Sequence, residues 1–294
     1  MTQFSFRLPA SDYLGFEATP EAIVESAVLA EELGFDAIVV NDHIIVDGSP
    51  RAAVWANTYD PFVTLAYVAA RTSRIRLGTS VLILPYRNPL VTAKSFATLD
   101  RMSGGRAVAG VGVGWNAPEF AALGIPFNER GARATECLQA WQACWAPDPV
   151  DFAGRFTSFM AMHISPKPLQ QPGIETWIGG ASPGALRRAA RFAHTWQPMQ
   201  TPLDQLIEQQ AQLRSACDAI GRAQPPATRM SLTVNVGGDC DGATAVSELV
   251  AMLSQYCREA GVEAFQVNMH GCRDLAHLLD SARWFASEVM PAAG

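Results

Sequence analysis

Between residues 74 and 116 the chain reads RIRLGTSVLILPYRNPLVTAKSFATLDRMSGGRAVAGVGVGWN, and no other stretch restricts the fold as tightly. Residues 75–84 form a largely apolar run of Val, Ile and Leu, interrupted by Arg76 and by Gly78-Thr79-Ser80. A run of that kind reads as a strand buried on both faces, as in a parallel sheet. Asn88-Pro89 then opens a helix, with Asn suited to the cap and Pro to the first turn. Leu90, Ala93, Phe96 and Ala97 share one face of it, and Gly104-Gly105 closes it. Residues 106–111 give a second apolar strand that ends in GVGVGW. The stretch is one βαβ unit.

The same alternation runs through the rest of the chain. Strands are predicted at residues 4–8, 35–40, 75–84, 106–111, 176–178, 194–197, 230–236 and 263–268, each followed by a helix. Thr19-Pro20, Asp60-Pro61, Asn88-Pro89, Ser182-Pro183 and Thr201-Pro202 are cap-plus-proline pairs, Asn128 is a further cap, and a last helix starts near Asp274. Eight βα units predict an α/β fold closed into a (β/α)8 TIM barrel, a single domain over residues 1–294. A doubly wound open sheet is the competitor. Residues 150–172, with Gly154, Pro166 and Pro168, read as an insertion between strands four and five that carries a short hairpin.

Composition narrows the class. With 49% hydrophobic and 17% charged residues in 294, the chain has ample material for a large core. A net charge of −6, with no basic run interleaved with aromatics, argues against nucleic acid or an anionic membrane as partner. Neither a signal peptide nor an apolar run of membrane-spanning length is visible, so a cytoplasmic protein is the expectation. The six cysteines form no CxxC, and no HxH or HExxH spacing or carboxylate cluster suggests a metal.

In such a barrel the site lies at the C-terminal strand ends, which singles out Arg7, Asp42-His43, residues 79–82, residues 112–116, residues 179–182, Trp196-Gln197, Asn235 and Asn268. His43 directly follows a buried strand and can hand over a proton or grip a substrate, with the Asp42 carboxylate orienting it; a structural loop histidine is the alternative. Gly179-Gly180-Ala181-Ser182-Pro183 runs from a strand end into a helix N-terminus, where free N–H groups favour an anion such as phosphate. An ordinary glycine turn with a Ser cap explains it equally well. In GVGVGW, Trp115 and Ala117 stand at the third-glycine positions, so the dinucleotide fingerprint is absent. Its alternating glycines admit either close approach of something flat or tight core packing. GxSxG and GxxxxGK[ST] are missing.

The blocks GFDAIVVNDHI, RIRLGTSVLILPYRNPLVTAKSFATLDRMSGGRAVAGVGVGWN, PFNERGARATECLQAWQACW and PKPLQQPGIETWIGGASPGALRRAARFAHTWQP together resemble the bacterial luciferase-like family, over roughly residues 4–200. That resemblance implies a (β/α)8 barrel binding FMN or the deazaflavin coenzyme F420, with a small-molecule substrate and a homodimeric assembly. LGTSVL is similar to the deazaflavin-dependent members in particular. Carried over, it implies Thr79, Ser80 and Val81 against the tricyclic ring, with a cis peptide between Ser80 and Val81. It also implies Gly179, Gly180, Ala181 and Ser182 on the cofactor phosphate, Trp115, Asn116 and Trp196 around the cofactor, and His43 and Asp42 as the catalytic pair. The sugar-phosphate dehydrogenases of that group place a catalytic glutamate just after strand four, where this chain has Trp115-Asn116; the nearest carboxylate is Glu119, one helical turn on. Coenzyme F420-dependent hydride transfer is the expected activity. The alternative is an FMNH2-dependent two-component monooxygenase served by a reductase partner.

Overall fold

The computed structural model describes residues 2–236 and 242–293, with the side chains of residues 242–245 excepted. Strands β1 (Gln3–Arg7), β2 (Ala37–Val40), β3 (Arg76–Thr79) and β4 (Leu82–Ile83) come first, then β5 (Ala107–Gly112). After the pair β6 (Val150–Ala153) and β7 (Ser158–Met162) follow β8 (Glu175–Gly179), β9 (Thr195–Gln197), β10 (Ala227–Asn235) and β11 (Ala264–His270). The sheet order is β3-β2-β1-β11-β10-β9-β8-β5-β4, every pairing is parallel, and β3 also pairs with β5. That last pairing, Leu77 with Ala107 and Gly78 with Val108, closes an eight-stranded barrel in which β3 and β4 are two halves of one interrupted strand. The insertion forms an antiparallel hairpin, β6 with β7, outside the barrel.

The period-two alternation of a strand sorts the side chains. Phe4, Phe6, Ile38 and Val40 point outward into the core shared with the helices, where Phe4 meets Phe265 and Phe285 at ring separations of 5.9 and 5.4 Å. Ala37, Val39, Val108 and Trp177 form a separate cluster inside the barrel. Trp177 is the plug: its indole donates to Glu175 Oε1 at 2.7 Å, and the Arg229 guanidinium lies 4.3 Å from its ring centre. Arg229 is in turn paired with Asp36 at 2.7 Å, so the charge brought to the barrel floor is compensated.

Helices α1 (Pro20–Glu32), α2 (Pro50–Ala53), α3 (Pro61–Ala69), α4 (Pro89–Ser103), α5 (Ala117–Ala122), α6 (Arg130–Trp145), α7 (Pro183–Phe192), α8 (Leu203–Asp218), α9 (Gly242–Ala260) and α10 (Leu275–Trp284) surround the strands. Thr19, Asp60, Asn88, Ser182 and Asp274 cap their helices with side-chain oxygens, as their spacing predicts. Two predicted caps do not act. Thr201 donates its hydroxyl backward to Met199 O, and α8 starts one residue later with Pro202 at the cap. Asn128 lies inside a 3-10 turn that leads straight into α6, so no freed N–H waits for it there. Among the described residues no helix is long and apolar enough to cross a membrane.

Glu31, in the last turn of α1, fastens the start of β3. Its carboxylate accepts from the backbone N–H groups of Ser73, Arg74 and Ile75 at 3.0, 2.6 and 2.8 Å. Burial pushes its pKa up, but these donors and the Ser73 hydroxyl outweigh that and hold it at about 2, against 4.5 for the free group. A depressed carboxylate pKa contributes stability that is full above pH 4.5 and lost as pH falls toward 2. Urea titrations of wild type and Glu31→Gln should therefore show a stability gap that is constant near neutrality and narrows as pH drops below about 4.5. A pH-independent gap would mean that the carboxylate's charge contributes nothing there.

Candidate active site

The break in the third strand sets the geometry of the barrel's mouth. The Ser80–Val81 peptide is cis, as the LGTSVL block implies. Ser80 N still donates to Val40 O at 2.7 Å, so the strand stays in the sheet up to the break. Thr79 is fully buried and its hydroxyl donates to Gly110 O at 2.6 Å, which leaves only its backbone near the mouth. Val81 projects across the top of the barrel. A Cβ placed on Gly112 would lie 2.6 Å from Val81 Cγ2, and one on Gly179 would lie 3.2 Å from Val81 Cγ1. At Gly110 an added Cβ would collide with the Thr79 carbonyl. Gly110 and Gly112 are therefore explained by the approach of the neighbouring chain segment, and Gly114 by its φ of +77°. Because valine is stiff at χ1, Gly112→Ala should cost about 1–3 kcal/mol through overpacking. Val81→Ala in the same chain should recover most of it, read as a double-mutant cycle in urea; additive effects would show that the two residues do not touch.

His43 and Asp42 leave β2 in opposite directions. Asp42 is buried, accepts Ile83 N at 3.0 Å and pairs with Arg87 Nη2 at 2.7 Å; Arg87 also reaches Asp60 at 3.1 Å. The carboxylate that orients His43 is therefore Glu119, not Asp42. Glu119 Oε2 lies 2.8 Å from His43 Nδ1, and its Oε1 accepts from Ile44 N at 2.7 Å and Ile45 N at 3.3 Å. The Tyr86 hydroxyl donates to Oε2 at 2.9 Å. Burial works against the charge on Glu119, but His43, the Ile44 N–H and Tyr86 together hold its carboxyl below the usual range. As an anion it can only accept, so Nδ1 of His43 is the donor and Nε2 is the atom left for a ligand.

Asn116 is the cap of α5, its Oδ1 accepting Glu119 N at 3.4 Å, so its part is to present Glu119. The Asn116-to-Glu119 spacing is half of a capping box, and that cue was available in the sequence. Trp115 stands edge-on to His43 at 5.8 Å, with the Arg51 guanidinium 4.1 Å over its ring. On the other flank Trp55 lies 5.3 Å from His43 and stacks on Tyr13 at 4.4 Å. Trp196 does not line the mouth. It faces the helix layer, fully buried, and its indole donates to Gly180 O at 2.9 Å. Its neighbour Gln197 faces inward, with Oε1 3.4 Å from Ser80 Oγ and Nε2 bonded to Gln266 at 2.5 Å.

Gly179, Gly180, Ala181 and Ser182 lead into α7. Gly180 adopts φ +95°, which a side chain would resist, and Ser182 Oγ caps Ala185 N at 3.3 Å. Arg188 is buried one turn on, with Nη1 against Gly131 and Gly184, and it has no carboxylate partner among the described residues. Burial lowers its pKa, and Arg187 and Arg130 add to the effect. A guanidinium at the positive end of a helix is unfavourable without an anion beside it. A cleft of about 850 Å³, lined partly by Arg187, Arg188 and Arg191, runs along the outside of this helix.

Known proteins share this fold. The family model for luciferase-like monooxygenases matches residues 3–286. An uncharacterized protein of Mycobacterium tuberculosis is 35% identical over 208 residues, 66% of this chain and 72% of that protein. The F420-dependent glucose-6-phosphate dehydrogenase of Kineococcus radiotolerans is 35% identical over 192 residues, covering 60% of this chain and 53% of its own length. Among solved structures, a monooxygenase from Streptomyces bottropensis superposes with a TM-score of 0.83 at 24% identity, covering 99% of this chain and 100% of that one. An F420-dependent secondary alcohol dehydrogenase gives 0.82 at 19%, covering 100% and 99%. At these identities the two structures speak for the fold.

Proposed function

The chain belongs to the luciferase-like monooxygenase family, and from that membership we propose that it is an oxidoreductase moving hydride between coenzyme F420 and a small organic substrate. The observation that carries the reading is the His43–Glu119 pair, a proton-carrying group held at the mouth beside the Ser80–Val81 break. The 35% identity to the F420-dependent dehydrogenase of Kineococcus supports the choice of cofactor.

The residues present fit a flat, phosphate-bearing group. Val81, seated against Gly112 and Gly179, offers an apolar bed at the top of the barrel. The α7 N-terminus, with Ser182 and the uncompensated Arg188, offers an anion site at its rim. When bound, the cofactor supplies the two-electron capacity that no side chain has. His43 Nε2 moves the accompanying proton to or from the substrate atom, while Glu119 remains ionised and keeps the imidazole in one orientation. Tyr86 and the two backbone N–H groups of residues 44 and 45 prevent Glu119 from taking the proton itself. Trp55 and Trp115 cover the imidazole and limit water around it.

A fluorescence-quenching titration of the purified protein with F420 and with FMN tests this reading. Tight F420 binding with weak FMN binding is the expected result. A preference for FMN would move the assignment to a two-component monooxygenase, and binding of neither would overturn both.

A further inference from the structure

Arg7, the last residue of β1, has no carboxylate partner among the described residues, a lack it shares with Arg188. Arg229, Arg87 and Arg76 each pair with a carboxylate. Arg106 has none, but its guanidinium is spread over the carbonyls of Ser103, Ile75, Ala69 and Thr72. Arg7 makes only two hydrogen bonds, both to neutral acceptors: Nε to Asn268 Oδ1 at 2.6 Å and Nη2 to Ser80 O at 3.1 Å. Of the five N–H groups of a guanidinium, three are left without an acceptor among the described residues, including both on Nη1.

The side chain is nonetheless fixed. Asn268 is itself held by Gln266 Nε2 at 2.9 Å and donates to Ser231 Oγ and Leu232 O at 3.0 and 2.9 Å. The Tyr13 ring flanks the guanidinium at 5.6 Å. Desolvation lowers the Arg7 pKa to about 10, which still leaves a full cation at neutral pH. Its bonds to Ser80 O at the strand break and to Asn268 on β11 place the guanidinium at the C-terminal strand ends, at the mouth. A cation anchored by neutral groups, with a planar edge left open, is preorganised for an anion.

We propose that the free end of Arg7 is an anion subsite of the mouth, taking an anionic oxygen of the molecule bound over the Ser80–Val81 break. Two sources share that chemistry: a carboxylate on the organic substrate, and the negatively charged reduced ring of the cofactor. The second source rests on the function proposed above, whereas the first requires only that this mouth binds a small molecule.

The test compares wild type, Arg7→Lys and Arg7→Gln by calorimetric titration with benzoate, with benzamide as its neutral counterpart, and with oxidised and reduced F420. The expected result is an affinity loss of about ten- to a hundredfold in Arg7→Gln for benzoate but not benzamide, or for reduced but not oxidised F420, with affinity partly retained in Arg7→Lys. Loss confined to benzoate identifies a substrate carboxylate, and loss confined to reduced F420 identifies the ring. If wild type binds no cofactor but Arg7 still separates benzoate from benzamide, the proposed function fails and the subsite stands. Equal affinities of wild type and Arg7→Gln for both pairs, or wild type that separates neither pair, would overturn the proposal. Circular dichroism and the Arg7→Lys variant guard against a folding defect.

Discussion

Substituting His43 with Gln is expected to lower kcat by about 10²- to 10⁴-fold, the range for losing a positioned proton carrier. Cofactor affinity and thermal stability should stay close to those of wild type. Glu119 still accepts from Tyr86 and from the N–H groups of residues 44 and 45, so the buried carboxylate keeps partners and the local fold survives. Glu119→Gln should act on the same step indirectly, costing about 10- to 100-fold in kcat with KM little changed. An unchanged kcat in Glu119→Gln would show that the carboxylate merely packs there. Full turnover in His43→Gln would move proton delivery to another group.

Asp42→Ala should produce the opposite signature one residue away. The Asp42 side chain is fully buried, and its loss leaves the Arg87 guanidinium, itself only 19% exposed, with Asp60 as its remaining partner. It also strips the acceptor from Ile83 N. Removing one member of such a pair typically costs 3–5 kcal/mol, and the partial exposure of Arg87 places the expectation near about 3 kcal/mol. Urea denaturation reads this directly, while the fraction that remains folded should keep most of its kcat. A stable Asp42→Ala protein with collapsed turnover would restore Asp42 to the chemistry.

The contrast shows where the sequence was readable. The eight strands were legible because burial on both faces leaves apolar runs, and helix starts were legible at four of the five cap-plus-proline pairs, Thr201-Pro202 being the exception. Side-chain direction at a strand end was not. Adjacent residues there face opposite ways, so Asp42 and His43 cannot both line the mouth, and of Trp196 and Gln197 only the glutamine does. A shift of one position in the assumed parity exchanges a supporting residue for a lining one. Glu119 was visible as the nearest carboxylate beyond strand four, but not its partner, because the cap at Asn116 is what carries it back over the mouth. The arrangement of aromatic rings around His43 was unreadable for another reason. Tyr13, Trp55 and Trp115 come from three separate loops whose paths depend on packing distant in sequence.

Those same rings bear on how such a protein acquires new substrates. Val81, Gly112 and Gly179 interlock, so a change at one demands a matching change at another, and this bed will resist drift. Tyr13, Trp55 and Trp115 sit in the connections outside the strands and Arg51 in the short helix α2, and they meet in two pairs, Tyr13 with Trp55 and Arg51 with Trp115. Single exchanges among them reshape the entrance without disturbing the bed. Selection libraries confined to these four positions should therefore yield altered substrate preference in chains that still fold, whereas libraries at the bed should yield mostly insoluble protein.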